Sequence, residues 1–158
     1  MTNTPGVLTE ATADIAMTLM LMVARRAGEG ERMVRADAWP GWHPTQMLGR
    51  DVTGATLGII GFGRIGQAMA RKAHYGFGME VVYYNRSAKD VPFPARRRDT
   101  IAEVMAEADV VALHTPGGGP NTHLIGTPEL AAMKPTGILV NTARGDVIDE
   151  AALVETLE

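Results

Sequence analysis

Three features predict an α/β fold built on a doubly wound parallel sheet. Four short runs of Val, Ile and Leu recur along the chain, helical segments separate them, and a Gly-x-Gly-x-x-Gly turn follows the first run. The 158 residues suffice for one domain with a sizeable core. A hydrophobic fraction of 46% and a charged fraction of 21% are ordinary for a globular chain.

A first helix is expected from Thr9, read as an N-cap before Glu10, to about Ala27, where Gly28 and Gly30 stop it. Ile15, Met17, Leu19, Met20, Leu21, Met22 and Val23 make this helix apolar nearly all round, which calls for cover by a neighbouring domain or a second subunit. Glu10 and Asp14 lie at its start and Arg25-Arg26 at its end, the reverse of a signal peptide's charge order, and the run is too short to cross a bilayer. Trp39-Pro40-Gly41-Trp42-His43-Pro44 breaks any regular ladder and reads as a loop pinned by aromatic packing.

Strands are then expected at residues 56–60, 80–84, 110–113 and 138–141, with helices at 65–74, 101–106, 128–133 and 149–157. The Arg96-Arg97-Arg98 run reads as a solvated face. A net charge of −3 leaves no global basic surface, so nucleic acid is not an expected partner. The absence of cysteine excludes a disulfide framework, a thiolate metal site and a cysteine nucleophile. It suits a reducing cytoplasm, the expected location, and no metal site or membrane contact is expected.

Gly61, Gly63 and Gly66 carry the turn, between an expected strand and an expected helix. In that setting Gly61 permits the tight turn, Gly63 lets backbone approach a pyrophosphate, and Gly66 lets the helix pack close to the strand. This is the dinucleotide-binding arrangement of a Rossmann sheet. At the end of the second strand, where an NAD site usually carries a carboxylate for the ribose 2′-hydroxyl, the chain reads Asn85-Arg86-Ser87. Arg86 can pair with a 2′-phosphate, and Asn85 and Ser87 can hydrogen-bond it, so NADP(H) is the preferred cofactor. Lys89 can assist. The alternative is a solvated Arg86 stacking on adenine in a site that takes NAD(H).

The chain resembles the D-isomer-specific 2-hydroxyacid dehydrogenases, most closely the glyoxylate/hydroxypyruvate reductase branch. The resemblance runs from Asn3-Thr4-Pro5-Gly6-Val7-Leu8-Thr9-Glu10 through the glycine turn and Asp109-Val110-Val111-Ala112-Leu113-His114-Thr115-Pro116. It continues in Asn121-Thr122-His123-Leu124-Ile125 and Leu130-Ala131-Ala132-Met133-Lys134-Pro135, and closes on Asn141-Thr142-Ala143-Arg144-Gly145-Asp146-Val147-Ile148-Asp149-Glu150.

The resemblance implies residue roles. Phe62, Gly63, Arg64 and Ile65 would surround the pyrophosphate, and Asn85, Arg86 and Ser87 the 2′-phosphoribose. Thr115, Pro116 and Thr122 would lie along the adenosine side, Thr142 and Ala143 near the nicotinamide, and Thr9 would reach the cofactor from an interdomain helix. Arg144 matches the catalytic arginine that holds a 2-oxo acid. Its guanidinium fork suits a carboxylate beside a polarisable carbonyl while staying charged. Outside the motif, Arg144 would read as a surface arginine in a glycine-containing turn.

The family's arginine works with a glutamate and a proton-donating histidine expected well beyond Arg144, outside the 158 residues. His43, His74, His114 and His123 do not stand in for it; His114 reads as a packed or cofactor-loop residue. Residues 1–36 are therefore expected to be an interdomain or dimerisation helix, and 37–158 a partial dinucleotide-binding domain whose sheet is incomplete at its C-terminal end. The substrate domain would lie elsewhere. The parent protein would reduce glyoxylate, hydroxypyruvate or a similar 2-oxo acid as a homodimer. Two other readings are an inactive dinucleotide-binding or dimerisation fragment and an NAD-sensing regulator.

Overall fold

The computed structural model describes residues 6–157; the Asn3-Thr4-Pro5 part of the family-like segment lies outside them. Five parallel strands form one sheet: β1 (Thr56–Ile60), β2 (Glu80–Tyr84), β3 (Arg96–Arg97), β4 (Val110–Leu113) and β5 (Ile138–Asn141). Their order is β3-β2-β1-β4-β5. The chain therefore builds outward from β1 in one direction, then returns to β1's other side and builds in the opposite direction. A crevice opens at such a reversal, outside the carboxyl ends of the strands.

Side chains alternate between the two faces, as a strand's period of two requires. Leu57 and Ile59 of β1 join Val81, Tyr83, Val110, Ala112, Ile138 and Val140 in one core layer. That layer is covered by α1 (Thr9–Ala24) and α3 (Arg64–Phe77), while α2 (Ala27–Arg35) follows α1 on the surface. Ile60, Val82, Val111 and Leu113 join the opposite layer, beneath α4 (Ile101–Glu107), α5 (Thr127–Ala132) and α6 (Glu150–Leu157). Both faces being covered, the strands are apolar throughout, and this is why they stand out in the sequence.

The four expected strands fall on β1, β2, β4 and β5. Three expectations need correction. Thr9 is the first residue of α1 rather than its cap; Leu8 stands at the cap and no side chain caps the helix. Gly28 and Gly30 do not end helical structure. Instead Arg26 takes a left-handed φ of 54°, α1 stops at Ala24, and α2 begins at Ala27, with Arg26–Glu29 and Arg35–Glu31 pairs along it. The tryptophans are not packed away: Trp39 is 47% and Trp42 79% exposed.

α1 buries a single stripe, Ala13, Ala16, Met17, Met20 and Ala24, against α3 and β5. Small residues let the helices approach closely, and Lys72 of α3 bridges Glu10 and Asp14 across the contact. Ile15, Leu19, Met22 and Val23 remain exposed, so the chain itself covers one side of α1 only. No helix among the described residues is long and apolar enough to cross a membrane. The Arg96-Arg97-Arg98 run does face solvent, and two of its residues also add an edge strand beside β2. Arg96 pairs with Glu80 and Glu107, and Arg98 with Glu107.

One residue, Asp109 immediately before β4, ties three strands at the end of the sheet away from the crevice. Asp109 accepts the Thr56 N–H at 2.9 Å and the Lys134 ammonium at 2.8 Å, and its carbonyl accepts the Ile138 N–H at 3.0 Å. Burial pushes its carboxyl up, but Lys134 and the Thr56 amide outweigh this and hold it below the usual range. Asp109→Ala is expected to lower unfolding stability by about 1–3 kcal/mol, read from denaturant titration.

At the other end, the His114 ring lies against Met69 of α3, with Nε2 3.3 Å from the sulfur. Burial depresses the imidazole to about 4. The unfolded chain takes up this proton near pH 6.5, the folded chain only near 4. His114 therefore costs nothing above neutrality and destabilises progressively as pH falls from about 6.5 to about 4. The difference in stability between wild type and His114→Gln should change across that window by up to ~3 kcal/mol and be flat above pH 7.

Candidate functional site

The carboxyl ends of β1, β4 and β5 open onto a cleft of two lobes. The larger, of about 770 Å³, lies between the start of α1, Ile65 of α3, and the loops after β4 and β5. The smaller, of about 340 Å³, lies between the glycine turn, the end of β2 and the 120–124 segment. His114, Thr115 and Pro116 line both, so the lobes are continuous.

The glycine turn forms the floor between them. Gly61 has φ +96°, and a Cβ there would fall 2.7 Å from the carbonyl carbon of His114. Only glycine lets the β1 and β4 loops touch at this point. A Cβ at Gly66 would fall 2.5 Å from the Gly61 carbonyl oxygen, so α3 leaves the turn with no room to spare. A Cβ at Gly63 would meet nothing within 4 Å; the space over that amide is open. The positive end of the 14-residue α3 begins there, at Arg64.

Two buried hydroxyls in the cleft, Thr115 Oγ1 and Thr142 Oγ1, have no hydrogen-bond partner. Unpaired buried hydroxyls are unfavourable unless a ligand or water satisfies them. Together with the open space above Gly63 and the helix start, they fit a polar, phosphate-bearing dinucleotide lying along the cleft. Arg144 lines the larger lobe on the loop after β5 and is exposed. Its Nη1 donates to the Ala143 carbonyl at 2.7 Å, and no carboxylate among the described residues pairs with it. The guanidinium is available to an incoming anion.

The expected site residues divide by where they stand relative to the cleft. Ile65, Thr115, Pro116, Thr142, Ala143 and Arg144 line the larger lobe; Gly61, Gly63, Asn85 and Arg86 line the smaller. Gly66 lies beneath the turn, and Arg64 projects to solvent at the start of α3. The remaining residues do not line the cleft. Phe62 is fully buried and stacks on Tyr83 at 4.0 Å, so only its backbone belongs to the turn. Thr122 is exposed, and Thr9 is half-buried one turn before Thr12, the α1 residue that does line the cleft. Ser87 stands just outside the smaller lobe, its carbonyl accepting from Asn85 Nδ2 at 2.8 Å.

Asn85 lines the smaller lobe and also holds backbone. Its Oδ1 accepts the Phe62 N–H at 3.2 Å, joining the loop after β2 to the glycine turn. Arg97 Nε donates to the Asn85 carbonyl at 3.2 Å, bringing a second cation to that rim. No carboxylate lines the smaller lobe. Sequence reasoning also missed Leu8, Thr12, Gly117 and Asp146, all lining the larger lobe. None belongs to the glycine turn, and each reaches the cleft through packing between distant segments. The other histidines lie elsewhere: His74 contacts the Met79 carbonyl at the end of α3, His123 stands 3.8 Å from Asp149, and His43 is exposed in the tryptophan loop.

Residues 17–158 match the profile of the D-isomer specific 2-hydroxyacid dehydrogenase family, NAD binding domain. A glyoxylate reductase of Thermococcus litoralis is 47% identical, with 99% of this chain covering 49% of that protein. The TT0316 protein of Thermus thermophilus superposes with a TM-score of 0.91 at 51% identity, over 99% of this chain and 49% of that one. A glyoxylate reductase from Paecilomyes thermophila gives 0.86 at 41% identity, over 98% and 46%. The chain thus spans about half the length of the relatives it matches. By its glycine turn, sheet order and profile match, the chain belongs to the D-isomer specific 2-hydroxyacid dehydrogenase family, of which it forms the NAD-binding domain.

Proposed function

We propose that this chain is the NADP(H)-binding part of an oxidoreductase that reduces a small 2-oxo acid such as glyoxylate or hydroxypyruvate. One observation carries the reading: the glycine turn, Thr115 and Thr142 with their unpartnered hydroxyls, and Arg144, with which no carboxylate among the described residues pairs, all line one continuous cleft at the carboxyl ends of the strands. The bound nicotinamide cofactor would supply the hydride. Gly63 and the start of α3 would hold its pyrophosphate, and Thr115 and Thr142 would give it hydrogen bonds. Arg144 would hold the substrate carboxylate and draw charge from the carbonyl oxygen as it becomes an alkoxide. The proton for that oxygen would come from outside residues 1–158, because His114 is desolvated against Met69 and neutral at ordinary pH.

The preference for NADP(H) over NAD(H) rests on the rim of the smaller lobe, where Arg86 is exposed and no carboxylate is present to accept from a 2′-hydroxyl. Asn85 helps indirectly, by fixing the loop that carries Arg86. The exposed Ile15, Leu19, Met22 and Val23 of α1 support pairing with a second copy, and residues 1–36 then serve as an interdomain and dimerisation segment. The reading puts the protein in the cytoplasm.

Arg86→Ala should weaken NADPH by about 10- to 100-fold while changing NADH much less, measured by fluorescence titration. Equal loss of both would sink the 2′-phosphate assignment. The 158-residue chain should bind NADPH without steady consumption when glyoxylate is added, and sustained turnover would show that it carries its own proton donor. Light scattering at high concentration should report a dimer or larger species; a monodisperse monomer would count against the α1 interface.

A further inference from the structure

We infer that Asp146 is a positioning residue that locks the loop after β4 to the loop after β5 and so sets where Arg144 stands. The inference deepens the cleft reading above and rests on it.

The two loops meet more closely than side chains ordinarily allow. A Cβ on Gly117, in the loop after β4, would fall 2.7 Å from Arg144 Cγ and 2.9 Å from Arg144 Cβ. The same Cβ would fall 2.6 Å from Asp146 Oδ1. The Gly117 backbone therefore lies directly on the aliphatic stem of Arg144, with no space for even a methyl group. Asp146 holds the loops at that separation. Its Oδ2 accepts the Gly118 N–H at 2.8 Å, and its carbonyl accepts the His123 N–H at 2.7 Å. The second bond fastens the far end of the same β4 loop. From the other side, Asn141 Nδ2 donates to the Arg144 carbonyl at 2.8 Å. The arginine is thus held at its backbone by its own strand and along its stem by the neighbouring loop.

The arrangement has two consequences for an arginine that must meet a planar anion. A free arginine stem has many rotamers, and confining the stem beforehand removes part of the ordering cost of binding. An aspartate two residues from Arg144 is also a natural competitor for its guanidinium. Turning Oδ2 onto the Gly118 amide leaves the guanidinium open to a substrate carboxylate. Thr115 and Pro116, which line both lobes, belong to the same loop, so the wall that would border the cofactor is joined by the Asp146–Gly118 bond to the loop that carries Arg144.

The test compares the isotope-labelled wild-type chain with Asp146→Ala, Asp146→Asn and Gly117→Ala by NMR, without cofactor, and then titrates each with NADPH. Asp146→Ala should exchange the Gly118 amide roughly fivefold faster. It should also shift or broaden the Arg144 Nε–H signal and weaken NADPH by about three- to tenfold. Asp146→Asn keeps an oxygen that accepts from Gly118 and should stay close to wild type in all three. Gly117→Ala should reproduce the altered Arg144 signal with Asp146 intact. An unchanged Gly118 exchange rate and Arg144 signal in Asp146→Ala would overturn the proposal, as would an Asp146→Asn variant as impaired as the alanine. A wild-type chain that does not bind NADPH would instead remove the cofactor reading, and the two cofactor-free signals would still decide the role of Asp146.

Discussion

The contact between Gly61 and the backbone of His114 is the constraint on which the cleft depends. Two parallel neighbours, β1 and β4, leave the sheet in the same direction, and their chains must part to make a crevice. Here they remain in contact for one further residue, because a Cβ at Gly61 would stand 2.7 Å from the His114 carbonyl carbon. The contact narrows the floor of the cleft and fixes the separation of everything above it. The His114 ring lies against Met69, where desolvation keeps it uncharged at neutral pH.

The strands were legible in the sequence because a parallel sheet covered on both faces is apolar on both faces. Leu57, Ile59 and Ile60 therefore make a continuous run with no polar interruption. The glycine turn was legible for a related reason, since its spacing encodes backbone contacts within six residues of one another. The edge strand β3 carries no such signal: it consists of Arg96 and Arg97, held by two register positions on β2 and by pairs to Glu80 and Glu107. Nor does α2, whose two glycines sit at its start; Gly30 already donates its amide to the Arg26 carbonyl at 3.0 Å, closing the first helical bond.

Side-chain roles within the site were harder to read wherever the partner is remote in sequence. Asn85 reads in the sequence only as a ligand-binding residue; that Phe62, 23 residues earlier, donates to it is visible only in the fold. Asp146 looks like a surface aspartate until Gly118, 28 residues earlier, is found on its carboxylate. Thr12 reaches the cleft only because the α1 stripe of Ala13, Ala16 and Met20 seats the helix against α3. Local pattern identifies a residue able to do chemistry. Packing between segments decides which of several able residues stands at the cleft.

Asn85 and Asn141 show how the site separates these tasks. Asn85 follows β2, takes the Phe62 amide on its oxygen, and gives its own amide to the Ser87 carbonyl. Asn141 ends β5, takes the Ala143 amide on its oxygen at 2.9 Å, and gives its own to the Arg144 carbonyl. Each asparagine commits both ends of its side chain to loop backbone. Each is followed in its own loop by an arginine, Arg86 or Arg144. The asparagines hold the loops and the arginines are left to meet the anions. A loop already ordered loses less conformational freedom when a ligand arrives, so more of the arginine–anion attraction remains as affinity. The same division explains why an aspartate beside Arg144 is compatible with anion binding there. Its carboxylate, though it also lines the larger lobe, is engaged by the Gly118 amide, and no carboxylate pairs with the guanidinium among the described residues.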